Sequence, residues 1–96
     1  MLTGKQRSYL RGAANSLQSI FQIGKGGINE NVIKQFNEAL EARELVKATV
    51  LKNAEDDAEV ICTKIAEETD AEIVQIIGNK FVLYKESEKS KNIVLP

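Results

Sequence analysis

The chain carries one stretch whose residue types suit phosphate chemistry: Ile23-Gly24-Lys25-Gly26-Gly27-Ile28-Asn29. Glycines let a backbone turn sharply and approach a ligand closely, with no Cβ in the way. Lys25 brings a cation to the same place. A helical pattern begins just beyond, near Glu30, and the first turn of a helix offers unpaired N–H groups with a partial positive charge. An apolar segment, a glycine-rich turn with one lysine and a helix start together form a seat for a phosphate group. The bland alternative is a plain strand-to-helix turn. Lys25 inside the loop and the acid-free N-terminal third around it favour phosphate contact.

A second basic set lies upstream. Arg7 and Arg11 stand one helical turn apart, and Lys5 projects from the other side. A pair of arginines at this spacing can span successive phosphates or stack on bases, although exposed helix cations often serve only solvation. Lys34, in the helix after the loop, is a further candidate. So is Asn29, which also suits the N-cap of that helix.

Charge is distributed unevenly. Residues 1–29 contain Lys5, Arg7, Arg11 and Lys25 and no acidic residue, whereas residues 53–77 hold eight acids against Lys64 alone. The net charge of −1 therefore hides a basic pole and an acidic pole, and local potential governs encounter with a polyanion.

Other chemistries are poorly served. With no histidine and a single cysteine, Cys62, on an apolar helical stripe, neither a nucleophile–base pair nor a zinc site can be assembled. The carboxylates of 55–59 and 67–72 lack the loop glycine and spacing of a calcium site. Gly24 to Gly27 does not match the G-x-x-x-x-G-K-[ST] nucleotide loop. We expect no enzyme, no cofactor, no metal and no small-molecule substrate. The lone cysteine and the lack of a signal-like or membrane-spanning apolar run predict a cytoplasmic protein.

Ninety-six residues, 43% of them apolar and 28% charged, suit one soluble domain with one core. Thr3 can cap a helix to about Leu17, with Leu10, Ala13, Ala14 and Leu17 on its buried face. Residues 19–23 read as a short buried strand. The helix after the loop ends near Ala42 and buries Val32, Ile33, Phe36, Ala39 and Leu40. Leu45 to Lys52 is a strand with Val46, Ala48 and Val50 on one face, and Lys47, Thr49 and Lys52 at more exposed positions. Asp56 or Asp57 caps a third helix to about Thr69, with Ala58, Ile61, Cys62, Ile65 and Ala66 as its stripe. Ile73–Ile77 and Phe81–Tyr84 form a hairpin across Gly78-Asn79. Phe21, Phe36 and Phe81 read as core, Tyr9 and Tyr84 as packed residues with a polar tip. The order is α-β-α-β-α-β-β, a mixed α/β domain over residues 1–86. Its strand–helix–strand units imply parallel pairing, with an antiparallel strand added by the hairpin. Residues 87–96 form a short tail, expected to be extended and partly loose.

Several motifs carry a family resemblance. Thr3-Gly-Lys-Gln-Arg7, Leu10-Arg11, Ile23-Gly-Lys-Gly-Gly-Ile28, Glu44-Leu-Val-Lys47, Val74-Gln-Ile-Ile-Gly78 and Val82-Leu-Tyr84 occur in the order found in the CRM (chloroplast RNA splicing and ribosome maturation) domain. The chain most resembles the stand-alone bacterial version over residues 1–86. The resemblance implies a two-layer domain with a four-stranded mixed sheet, similar to the C-terminal domain of a bacterial translation initiation factor. It also implies an RNA-binding module that associates with precursors of the large ribosomal subunit, and thus ribosomal RNA as a partner. The family's G-x-x-G element maps to Gly24, Lys25, Gly26 and Gly27, and related loops clamp an RNA backbone. The chain departs at Asn15 and at Ala42-Arg43, where many members have histidine. The alternative function is a protein-interaction module that engages a basic ribosomal protein or assembly factor through the acidic pole.

Overall fold

A computed structural model describes residues 2–89 and 91–96; Met1 and Ser90, which fall within the expected domain and tail, lie outside the described residues. Seven elements follow in order: α1 (Gly4–Ala14), β1 (Phe21–Ile23), α2 (Glu30–Arg43), β2 (Leu45–Val50), α3 (Ala58–Thr69), β3 (Glu72–Ile77) and β4 (Lys80–Tyr84). This is the expected α-β-α-β-α-β-β series.

Each helix starts on the residue chemistry that its sequence offers. Thr3 and Gln6 form a reciprocal capping box, with the Thr3 hydroxyl accepting from the Gln6 backbone N–H and the Gln6 side-chain Oε1 accepting from the Thr3 N–H. Asn29 caps α2 through the Val32 N–H, and Asp57, not Asp56, caps α3 through the Val60 N–H. The first helix stops three residues before Leu17. Ser16 donates its hydroxyl to the Ala13 carbonyl, and the Lys47 ammonium donates to the Ala14 and Leu17 carbonyls at 3.0 and 3.2 Å. Local side-chain bonding and a cation on the last carbonyls thus end the helix early. Lys47, expected among the more exposed residues, is half-buried for this reason.

The sheet order is β1-β2-β4-β3. β1 pairs parallel with β2, and β4 pairs antiparallel with both β2 and β3. The expected direct pairing of β3 with β2 is therefore corrected: β4 inserts between them, and β3 keeps the direction of β2 at the sheet edge. Composition explains the order. Phe81, Val82, Leu83 and Tyr84 are all buried, as a strand covered on both faces must be, whereas β3 carries Glu72 and Gln75.

Two apolar clusters sandwich the sheet. Phe36 and Leu40 of α2 and Ile61, Cys62 and Ile65 of α3 pack on Val46, Ala48, Phe81 and Leu83. α2 and α3 thus form one helical layer on this face of the four-stranded mixed sheet, and Phe36 stacks on Phe21 and Phe81 at its centre. α1 covers part of the opposite face, with Leu10 and Ala14 on Leu45, Val74, Val82 and Tyr84. A bulge between Ile73 and Gln75 alters the alternation of β3. Ile73 and Ile76 both face the α2/α3 core, while Val74 and Gln75 both turn to the α1 side.

Among its described residues the tail has no helix or strand, yet it is held at several points. Glu44, fully buried and at φ 66°, accepts from the Ser87, Asn92 and Ile93 N–H groups. Glu41 accepts from the Ser87 hydroxyl and the Lys89 N–H. Ile93 and Leu95 pack on the α1 cluster, and Gln6 donates to the Pro96 carbonyl.

Candidate nucleic-acid interface

The glycine loop leaves the C-terminal end of β1 and enters α2. Its turn is closed by the Gly27 N–H donating to the Gly24 carbonyl at 3.0 Å. Gly27 sits at φ +62°, where a side chain would be strained. A Cβ on Gly24 would lie 3.2 Å from Asn53 Oδ1, whereas one on Gly26 would meet nothing within 4 Å. The loop thus has two glycines that its own fold uses and one, Gly26, with open space in front of it. Lys25 and Gly26 are exposed.

Asn29 has a defined task. Its side-chain oxygen accepts from Val32 N–H at 2.9 Å, so as a cap it fixes where α2 begins and where the loop's N–H groups point. Lys34 is exposed on α2, on the opposite side of the sheet from α1.

The basic residues of α1 divide. Lys5 and Arg11 are exposed, while Arg7 is half-buried and its Nε donates to the Ile73 carbonyl on β3 at 3.3 Å. α1 packs on β2 and β3, and the loop follows β1. The expected site residues therefore fall into separate places: the loop at one end of the sheet, Lys5, Arg7 and Arg11 over one face, and Lys34 beyond the other.

The two charge poles are not fully apart. A cleft of about 770 Å³ has the loop on one wall and Glu55, Asp56, Glu67 and Glu68 on the other. Lys64 pairs with Asp56 at 3.8 Å, and among the described residues the only other ion pair joins Lys91 and Glu86. Lys25 thus stands between open solvent and a carboxylate wall, an adjacency that chain order did not reveal.

Cys62 is buried, and burial pushes its thiol up to about 12, which leaves it protonated and inert. Tyr84 is in the core, whereas Tyr9, expected to be packed, is 48% exposed on α1. Among the described residues no group of three potential ligands is placed to hold a metal, and no helix is long and apolar enough to cross a membrane.

A four-stranded mixed sheet, with a glycine–lysine loop between its parallel edge strand and a capped helix, defines a small class of α/β domains. The chain belongs to the CRS1/YhbY (CRM) domain family, whose model matches residues 2–85. It is 53% identical to the Bacillus subtilis protein named probable RNA-binding protein YqeI, over all 96 residues and the whole of both chains. It is 37% identical to an RNA-binding protein of Haemophilus influenzae over 95 residues, covering 99% of this chain and 95% of that one. The solution structure of a hypothetical Staphylococcus aureus protein, described as a candidate RNA-binding protein, superimposes with a TM-score of 0.81 at 53% identity and full coverage of both chains.

Proposed function

We propose that this chain binds RNA and assists maturation of the large ribosomal subunit, contacting RNA phosphates through Gly24–Gly27 and the basic residues of α1. The observation that carries this reading is the exposed Lys25-Gly26 pair, held by the Gly27 turn beside the start of α2. Open backbone and one cation there suit a sugar–phosphate chain, which needs close approach more than a deep pocket. The relatives named as RNA-binding proteins support RNA as the ligand. The ribosomal assignment rests on the resemblance of the motifs to the CRM domain. Lys5 and Arg11 are exposed cations that extend the contact surface over the α1 face, Asn29 contributes by shaping the loop, and Lys34, on the other side of the sheet, stands apart from this surface.

The test is Lys25→Glu, with Arg11→Glu alongside, assayed for binding to ribosomal RNA and for sedimentation with precursor large subunits. Both are expected to weaken RNA binding and reduce co-sedimentation while the fold persists. Unchanged RNA binding by folded variants refutes loop contact; retained RNA binding without ribosomal association in the wild type refutes the ribosomal role.

The carboxylate-walled cleft favours a second reading, a docking site for a basic protein. Glu67→Lys/Glu68→Lys that loses particle association but keeps RNA affinity would support it.

A further inference from the structure

The loop and α1 are separated on the molecule, and the residues between them have a consistent chemistry. β1 is parallel to β2, and β3 shares the direction of β2 because both are antiparallel to β4. The C-terminal ends of β1, β2 and β3 therefore gather at one end of the sheet, the end at which open α/β sheets commonly receive ligands.

Hydrogen bonds stitch this end together. Leu51 N–H donates to the Ile23 carbonyl at 2.8 Å, and the Asn79 side-chain amide donates to the Val50 carbonyl at 3.2 Å. Lys25 after β1, Lys52 after β2 and Lys80 at the start of β4 consequently follow one another in sheet order. All three are exposed, and none forms an ion pair among the described residues. Neighbouring strands lie about 4.8 Å apart, so β1 and β4 are separated by about 10 Å of sheet.

Lys80 also borders a shallow pocket of about 120 Å³ on the α1 side, with Gln75, Ile77 and Asn15 around it and no carboxylate in its lining. The bulge in β3 puts Gln75 on this face. Ile77 is 62% exposed there, an apolar surface of the kind a base can rest on. Arg11 precedes Asn15 by one turn of α1, so the two share a helix face.

We propose that a single strand of RNA runs from the glycine loop past Lys52 and Lys80 onto the open sheet face, ending beside Asn15 and Arg11. The lysines hold phosphates, and Gln75, Asn15 and Ile77 meet bases. The carboxylates of the α3 cleft repel the strand from the other side and so set its direction. This inference rests on the RNA reading above, but it assigns residues that the loop motif does not include.

The experiment compares Lys52→Gln/Lys80→Gln with wild type and Lys25→Glu, using a fluorescent mixed-sequence single-stranded RNA 12-mer titrated at several salt concentrations. Circular dichroism checks the fold. Each lost phosphate contact should reduce the log–log salt slope by about 0.7, so the double variant should lose about 1.4 and weaken binding on the order of 20-fold at 0.1 M salt. In the wild-type protein, RNA should shift the amide resonances of Gln75 and Ile77. If the double variant binds with wild-type slope and affinity while Lys25→Glu is impaired, the track is wrong and the RNA reading stands. If wild type binds no RNA, both fall.

Discussion

The Glu44 carboxylate accepts the Asn92 N–H at 2.6 Å across 48 residues of sequence. The same oxygen accepts from Ile93 N–H, and its partner oxygen accepts from Ser87 N–H. Gln has only one acceptor oxygen, and its amide nitrogen would face a donor. Glu44→Gln is therefore expected to cost about 1–3 kcal/mol, the scale for leaving a buried donor unsatisfied. Urea denaturation measures the loss, and hydrogen exchange should show Ser87 or both Asn92 and Ile93 losing protection before the sheet does.

The same carboxylate makes stability depend on acid. Burial pushes the Glu44 carboxyl up, but the three backbone N–H groups, aided by Lys91, outweigh it and hold the group below the ordinary 4.5. Glu41 is also lowered, first by the Ser87 hydroxyl and then by the Lys89 N–H. A depressed carboxyl contributes stability that is present above its unfolded value and lost as pH falls through the folded value. The urea midpoint of the wild type should thus stay level from neutral pH to about 4.5 and fall below it. In Glu44→Gln the decline should be shallower.

These tail contacts also mark where sequence reading stopped. Caps, apolar stripes and the hairpin turn are local patterns, so Thr3, Asn29 and Gly78-Asn79 could be read directly. Strand order is not local. The unbroken apolar run Phe81–Tyr84 held the signal for a central strand, covered on both faces, yet helix-linked strands suggested parallel neighbours. Glu44 could be read only as the first residue of the Glu44-Leu-Val-Lys47 motif, without a structural task, because its three donors come from beyond residue 86. For the candidate site, the sequence offers loop glycines and basic residues by type alone. The gathering of Lys25, Lys52 and Lys80 at one sheet end depended on strand order, and the placing of Gln75 depended on a bulge.

The loop glycines should separate folding from binding. Gly27→Ala must hold a Cβ at φ +62°, at a cost of about 1–2 kcal/mol, and should lower the melting temperature. A Cβ on Gly26 meets nothing, so Gly26→Ala should keep wild-type stability. If RNA backbone approaches that position closely, the added methyl should still weaken RNA binding by several-fold. Thermal melts and fluorescence anisotropy on the two variants decide this; equal RNA affinity in Gly26→Ala and wild type would remove close approach at Gly26.

Arg7 and Arg11 share one helix face but should respond differently to truncation. Arg7 Nε bonds the Ile73 carbonyl and the side chain is half-buried, so Arg7→Ala should cost about 1 kcal/mol in urea. Arg11 is exposed, and Arg11→Ala should leave stability within about 0.5 kcal/mol of wild type. RNA binding should reverse the order. An exposed guanidinium can reach a phosphate without giving up a partner, whereas Arg7 must first leave Ile73. Arg11→Ala should therefore weaken binding more and reduce the salt slope by about 0.7, the value for one phosphate contact. Arg7→Lys offers a further check: lysine keeps the charge but has no Nε–H at that place, so stability should fall while the salt slope holds. A larger loss of RNA affinity in Arg7→Lys than in Arg11→Ala would instead make Arg7 the principal contact of α1.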